Sequence, residues 1–481
     1  EQILATGFNR NHPITQEGGV IDEEYRSYYV VDRTNTLGKG ILGLTLECAK
    51  CHDHKYDEIT QKNYFEFYSF FNQVDEKGLR MMAGPATIKK YFADAPFMTI
   101  TDNETAGILS YINKKEGDSI KVMVMNDSLP RTTFIFNRGE YTQPTDSVQP
   151  NTPEFILPFS DKFEKNRLGL ANWLTDKNNP LTARVIVNRM WAMLFGDGLV
   201  LTSGDFGVQG SLPSHPKLLD WLARDFMDHD WDIKYLLKKM ILSATYQQSS
   251  EVNQELLKLD PENRLLARAT RFRMSGEMIR DYMLRVSGLL HEEIGGASVK
   301  PYQSPGLWEE TSAGGTRGVL GKYVQDVGDN LYRRSLYTFW KRTSPPPNMT
   351  LFDAPTRDNC EVRRQKTNTP LQALVMQNDV QILEAARVLA ENMILENKDD
   401  TQTLHSLFQR ILIRQPHTEE FEVLEKYYTD ALQRFENKED KATKLLAQGD
   451  YKRMETDPAK TAAFMLTAQV LFNLDETITK E

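Results

Sequence analysis

The chain is poor in cysteine, in long apolar runs and in excess positive charge. Three cysteines among 481 residues cannot build a dense disulfide framework, so stability has to come from packing. No stretch approaches the ~20 consecutive apolar residues of a membrane-spanning helix, and we expect no such segment. A net charge of −9 and a pI of 5.6 argue against a nucleic-acid partner, because phosphate binding requires a basic face.

What the chain does contain is ordinary globular material, with 40% hydrophobic and 26% charged residues. Its length is enough for roughly two to four domains with at least one large core. We expect a mainly α protein with three parts. These are a segment with a cysteine motif over 1–95, a small β module and linker over 96–165, and a helical domain over 166–481.

Helical signals support this division. Thr60 precedes a helix whose rings Tyr64, Phe67, Tyr68 and Phe71 recur at helical spacing, which favours core packing and is compatible with shielding a flat cofactor. Further along, Thr369 and the proline after it resemble a capping box that opens one helix running to about residue 393.

The middle of the chain has a different sequence pattern. Short β-branched and aromatic runs at 120–127 and 132–141 are separated by turn-forming residues, which predicts strands. The stretch 142–159 is punctuated by proline and is typical of a connector. A long, proline-rich, polar loop spans 340–368, and loops of that length are often functional.

The stretch 44–60, LTLECAKCHDHKYDEIT, holds two of the three cysteines and two of the eight histidines. Haem attachment accounts for the pattern Cys-Ala-Lys-Cys-His: Cys48 and Cys51 can form thioethers to the two vinyl groups, and His52 can reach the iron as proximal ligand. The sequence therefore predicts one covalent haem c.

Two other kinds of site compete with haem. A structural zinc site needs about four ligands, but beyond Cys48, Cys51 and His54 the only other cysteine is Cys360, far along the chain. A thioredoxin-like redox pair needs a helix start after a core strand, and the surroundings of the motif are too polar and too helical for that.

The distal ligand is left open by the sequence. Met81 and Met82 follow the motif by about thirty residues, a spacing that small cytochromes often use, and His12 and His54 are alternatives. His54 could instead meet a haem propionate, since it lies two residues after His52.

Several stretches together resemble planctomycete cytochrome c domain-containing proteins. Residues 42–78 are similar to the end of their second cytochrome-like domain, and residues 179–250 to the start of their C-terminal domain of unknown function. The stretches 260–281, 335–360 and 363–379 continue that domain, so the resemblance covers residues 1 to about 395. One departure is Glu58, where the family usually has proline.

The resemblance implies an extracytoplasmic protein, periplasmic or at the cell surface, whose chain is the C-terminal portion of a longer product. It implies a partner haem domain, either N-terminal in the same product or in a separate cytochrome. It implies electron transfer, but it supplies no substrate.

Polar residues of the C-terminal part form a second candidate site. Glu277, Arg280 and Asp281 lie near the start of one helix, while Asp353 and Arg357 lie in the long loop. Paired carboxylates with arginines could bind a sugar and move protons, although an ion-pair network tying helices to the loop is the alternative.

Two hypotheses follow. The first is a c-type haem electron-transfer protein, as the redox part of an oxidoreductase acting on carbohydrate-like substrates. The second is a non-catalytic surface scaffold, with a structural haem or metal and patches that bind a glycan or a partner.

Overall fold

The structure is a computed structural model of the chain, and it describes residues 2–15, 19–78, 95–101, 119–311 and 321–480. Within these residues helices dominate, and the strands form only two-stranded antiparallel sheets. The expectation of a mainly α fold with a small β component is confirmed.

Two compact units make up the chain. The first contains residues 1–270 and 357–363, and the second contains residues 271–356 and 364–481. The domain boundaries that the sequence suggests, near 95 and 165, both fall inside the first unit, and they stay a prediction.

The first unit begins with helices and a small β part. Its helices are α1 (Gln2–Ala5), α2 (Asp22–Leu37), α3 (Gln61–Ser69), α4 (Arg167–Leu174), α5 (Thr182–Phe195), α6 (Pro216–Asp228), α7 (Ile233–Ile241), α8 (Ala244–Gln247) and α9 (Gln254–Leu259). Its strands are β1 (Phe97–Thr101), β2 (Ser119–Met123), β3 (Thr133–Phe136) and β4 (Pro144–Val148), paired β1 with β2 and β3 with β4. Strands are therefore present in both stretches where the sequence predicts them.

Helix α3 begins as its sequence predicts. The Thr60 hydroxyl accepts a hydrogen bond from the backbone of Asn63, and the Asn63 side chain returns one to the Thr60 backbone. The rings of Tyr64, Phe67 and Tyr68 are completely buried. They pack against other protein rings, including Phe136 of β3 and Trp173 of α4. The stripe is core packing, because the protein itself covers all three rings.

The second unit is a helical assembly closed by a short strand pair. Its helices are α10 (Gly276–Ser287), α11 (Leu307–Glu310), α12 (Pro347–Thr350), α13 (Pro370–Asn378), α14 (Val380–Glu396), α15 (Asp400–Leu412), α16 (Thr418–Glu436), α17 (Glu439–Leu446), α18 (Pro458–Phe472) and α19 (Asp475–Ile478). Strand β5 (Phe272–Arg273) pairs with β6 (Thr479–Lys480), so both ends of the unit meet. Helices α14 and α18 carry much of its buried apolar core.

One helix prediction is wrong here. The single helix expected from Thr369 to about residue 393 is two helices, because Asp379 interrupts it and its carboxylate accepts from the backbone of Gln381 and Ile382. Thr369 makes no side-chain cap. Gln372, which the predicted box would use, instead donates to the carbonyl of Leu351.

Candidate functional site: the Cys48–His52 turn

The chain reaches the cysteine motif through an irregular helix end. Helix α2 widens into a π-helical turn, Gly38–Leu42, and the Arg189 guanidinium of α5 donates to the Gly40 carbonyl at 2.6 Å. Gly43 then adopts a left-handed conformation with φ of 62°, where a Cβ would come within 2.7 Å of the Phe206 ring. The route into the motif is therefore held by contacts from residues far along the chain.

The cysteines lie on a short turn with a buried inner face. A 3-10 helix covers Leu46–Lys50; Leu46 and Ala49 are buried, whereas Cys48 and Cys51 are exposed free thiols. Leu46 and Ala49 are three residues apart and so lie on one face of the 3-10 helix, which anchors the turn in the core while the two sulfurs stay at the surface.

The β3–β4 hairpin borders this turn. Gln61 donates both to the Lys50 carbonyl at 3.0 Å and to the Phe136 carbonyl at 2.9 Å. Gly139, at φ of 74°, lies so close that a Cβ would come within 3.0 Å of the Cys51 sulfur. The hairpin thus approaches Cys51 closely, and only glycine leaves that sulfur its space.

His52 is exposed, and one of its nitrogens has a defined role. Its Nδ1 lies 2.6 Å from the Asp53 carbonyl oxygen. A carbonyl only accepts, so in the neutral ring the proton is on Nδ1 and the lone pair is on Nε2. This is the tautomer in which imidazole ligates a metal through Nε2.

His54 is bound into the loop instead. Its Nδ1 accepts from the Asp57 backbone N–H at 2.9 Å, which requires Nε2 to carry the proton, and Nε2 lies 3.2 Å from the Thr45 hydroxyl. Both ring nitrogens are therefore engaged in this structure. Sequence reasoning proposed His54 as a distal ligand or a propionate partner, and the arrangement here gives it a structural role in shaping the loop.

Asp57 is a residue that the sequence reasoning missed. One of its oxygens accepts from the Val208 backbone N–H at 2.7 Å, and a Cβ on Gly207 would lie 2.5 Å from the same oxygen. Two glycines in the stretch GDFG are the only sequence signal for this close approach.

His12, another distal candidate, is buried in a charged cluster. Its Nδ1 donates to the Pro13 carbonyl at 3.0 Å, its Nε2 accepts from Arg33 at 2.6 Å, and its ring stacks on Tyr29. Burial, and then the positive charge of Arg33, lower the pKa of His12 to about 4. His12 is therefore neutral with both nitrogens engaged. Met81 and Met82, the remaining distal candidates, lie outside the described residues.

The residues of the motif fit a covalently attached haem in chemistry and accessibility. Two exposed thiols precede a histidine whose Nε2 is available, and those are the groups that c-type attachment uses. Among the described residues, no group of three or more His, Cys, Asp or Glu side chains could hold a metal ion by itself. The donor set is therefore short of the four ligands that a structural zinc site needs.

Four of the five residues of the second candidate site have the partners given below, and the site itself stays a prediction. Glu277 pairs with Arg364 at 2.7 Å, and although burial opposes it, hydrogen bonding from Arg364 lowers the pKa of Glu277. Asp353 accepts from the Thr367 backbone N–H and hydroxyl. Arg357 belongs to the first unit, whereas the other four predicted residues belong to the second.

Arg280 and Asp281 join helix α10 to the segment that follows Leu331. The Arg280 guanidinium is buried, and burial lowers its pKa to about 10. It donates to the Gln381 side chain at 2.7 Å and to two backbone carbonyls and a hydroxyl, those of Leu331, Arg333 and Ser335. Asp281 accepts from the Ser335 backbone N–H at 2.7 Å. These contacts are typical of an internal scaffold.

The chain is thus a mainly helical protein that presents a Cys-x-x-Cys-His turn at its surface. Residues 166–428, more than half of the chain, match the family model described as PSD1, protein of unknown function (DUF1553). Residues 1–76 match the model described as PSCyt2, protein of unknown function (DUF1549). The chain belongs to the PSD1 family, one of these planctomycete cytochrome-associated domains of unknown function, and the expected resemblance is confirmed. No curated protein and no solved structure matched it.

None of the helices in the described part of the chain combines the length and apolar character needed to cross a bilayer.

Proposed function

We propose that the chain carries one c-type haem on Cys48, Cys51 and His52 and takes part in electron transfer outside the cytoplasm. The observation that carries the proposal is the His52 tautomer. With Nδ1–H donated to the Asp53 carbonyl, Nε2 is left available beside two exposed thiols. A bound haem would supply a centre that takes up and releases one electron at a time.

The chain's own residues position the attachment groups. Leu46 and Ala49 anchor the turn that carries both cysteines, and Gln61 ties its end to the hairpin. The Asp53 carbonyl orients the His52 ring. His54 and Asp57 hold the following loop in place, so that the attachment groups stand on a fixed support.

The partner and compartment form part of the same proposal. Haem of this type is attached outside the cytoplasm, so we place the chain in the periplasm or at the cell surface. Its partner is another haem domain, in the same product or in a separate cytochrome, and a carbohydrate-like molecule is the proposed substrate class. A scaffold protein with a structural haem or metal, binding a glycan or partner, is the competing proposal.

The test is a reduced-minus-oxidised visible spectrum of protein purified from a host that attaches haem c, followed by denaturation and a pyridine haemochrome assay. We expect a c-type α-band that survives denaturation, together with a mass increase of one haem on the peptide containing Cys48 and Cys51. A redox titration then separates electron transfer from the scaffold proposal, which predicts a centre that does not change oxidation state in the physiological range.

The chain offers a matched control for this experiment. Cys360→Ser removes the third, half-buried cysteine and leaves the motif intact, so its spectrum should equal that of the wild type. The double variant Cys48→Ser, Cys51→Ser should lose all covalent haem. A colourless wild-type protein with both motif thiols unmodified would overturn the proposal, and zinc analysis would follow.

A further inference from the structure

A cluster of three ionic side chains lies completely inside the second unit. Glu384, Arg387 and Glu391, on successive turns of α14, are each 0% exposed. Arg387 bonds both oxygens of Glu391 at 3.1 Å, which balances that pair. Glu384 is then the surplus negative group, with the Arg387 guanidinium 3.8 Å away.

The two oxygens of Glu384 have very different surroundings. Oε1 accepts from the hydroxyls of Tyr302 and Tyr332 at 3.2 and 3.1 Å and from the Tyr451 backbone N–H at 2.7 Å. Oε2 is buried and has no hydrogen-bond partner among the residues that the structure describes. An ionised carboxylate would leave half of its charge on an oxygen that no described group hydrogen-bonds, and a neutral hydroxyl there costs less.

The backbone closes over this carboxyl group. Gly449 has φ of 81°, and a Cβ at that position would collide with the Glu384 carboxylate. The turn 449–451 therefore lies directly on the group and shields it from water. Burial also raises the pKa of Glu384, against the opposing hydrogen bonds from Tyr451, Tyr332 and Tyr302.

The charged groups on the neighbouring helices have partners other than Glu384. Helices α10, α13, α15 and α18 pack against α14 or its ends, and α13 carries no charged residue. The titratable groups of the other three have these partners: Glu277 with Arg364, Arg280 with Gln381, Asp281 with the Ser335 N–H, Tyr282 with the Ile411 carbonyl, Arg285 with Glu292, Lys460 with Asp400, His405 with the Phe421 ring and Arg410 with the Val286 carbonyl. The carboxylate of Asp450, on the covering turn, accepts from the Gln325 side chain at 3.1 Å, and its backbone N–H donates to the Tyr302 hydroxyl. In the described part of the chain, Arg387 is the cation paired with Glu384, and Glu391 already bonds it.

We infer that Glu384 is a neutral carboxylic acid in the folded chain, with its proton on Oε2, and that it acts as a pH-sensitive latch. While it is protonated, it joins the segments carrying Tyr302, Tyr332 and Tyr451 to α14. Loss of the proton places a second carboxylate charge beside the single guanidinium of Arg387, which Glu391 already uses, and this loosens the turn 449–451. This inference is independent of the proposed haem.

The first test is an infrared difference spectrum between the wild type and Glu384→Gln at pH 7. We expect a carboxylic-acid C=O band in the wild type that the variant lacks and that shifts in D₂O. The matched control is Glu391→Gln, which removes a carboxylate already paired with Arg387 and should leave that band in place. Absence of any difference between the wild type and Glu384→Gln would overturn the inference.

A second test does not depend on spectral assignment. A buried acid with a raised pKa makes the folded state lose stability as the pH rises above about 4.5, the ordinary value for glutamate. Thermal unfolding of the full chain between pH 6.5 and 9 should therefore show a steeper fall in Tm for the wild type than for Glu384→Gln. At pH 9 the wild type should also exchange amide hydrogens in the 449–451 turn several-fold faster than the variant. Equal slopes and equal exchange would show that Glu384 is ionised throughout.

Discussion

The Cys48–His52 turn and helix α10 are both rich in chemically capable side chains, yet they differ in what those side chains are doing. At the turn, two thiols and one imidazole nitrogen face solvent, and the structure gives them no hydrogen-bond partner among the described residues. Along α10, Glu277, Arg280 and Asp281 are each bound to a neighbouring segment. The comparison teaches that a cluster of polar residues is a better candidate for a functional site when some of its donor atoms have no partner within the protein.

The largest effect expected from this comparison is on stability. Arg280→Met should lower the free energy of unfolding by about 3–5 kcal/mol, because several buried acceptors around the guanidinium lose their donor at once. Urea unfolding checks this. Arg285→Met is the matched control on the same helix, since Arg285 is exposed and should change the free energy by less than about 0.5 kcal/mol. Equal effects would contradict a scaffold role for Arg280.

The next effect is a pH dependence from the first unit. The pKa of His12 is about 4 in the folded chain against 6.5 ordinarily, so the unfolded chain binds more protons between these values. Stability should therefore fall as the pH drops from 6.5 to 4, by about 3 kcal/mol in total. Denaturant unfolding across this range should show a flatter profile for His12→Gln. An unchanged profile in that variant would show that His12 is not the responsible group.

A smaller effect separates two histidines that are two residues apart. His54→Ala should lower the free energy of unfolding by about 1–3 kcal/mol, because the Asp57 backbone N–H and the Thr45 hydroxyl lose their partner. His52→Ala should change it by less than about 0.5 kcal/mol, since that ring is exposed. Chemical unfolding of both variants measures the contrast. If His52→Ala lowered the free energy of unfolding more than His54→Ala, then His52, and not His54, would have the structural role.

The smallest effect concerns the Glu277–Arg364 pair. Its arginine is partly exposed, so a double-mutant cycle with Glu277→Gln and Arg364→Gln should give a coupling of about 0.2–1 kcal/mol. Added salt should reduce that value. A coupling that exceeds this range and resists salt would indicate that the pair is a buried element of a site.

Local signals in the sequence were sufficient for part of this fold. The cap at Thr60 and the ring spacing of α3 depend on residues within two turns, so pattern reasoning found both. The break at Asp379 was missed because proline and threonine at the start resembled a cap, while the aspartate within the run, which caps the second helix, was overlooked.

The candidate site shows more clearly how little a local sequence pattern says about contacts between distant residues. The spacing of Cys48, Cys51 and His52 is visible in the sequence, and so is the list of histidines. Which histidine keeps an available nitrogen depends on Asp53, Thr45 and Arg33, and the contact with Arg33 joins residues 21 positions apart. The Asp57 contact with Val208 could not be predicted from local pattern, because no periodicity links positions so distant.

That same contact has a consequence for the order of events during folding. Asp57 and Val208 are separated by 151 positions, so the loop-closure entropy must be overcome before the bond forms. Contacts of such long range tend to form late. The surroundings of the two cysteines therefore differ between the unfolded and the folded chain. In the unfolded chain no neighbouring segment holds Cys48 and Cys51, whereas in the folded chain the turn anchored by Leu46 and Ala49 holds both sulfurs at the surface.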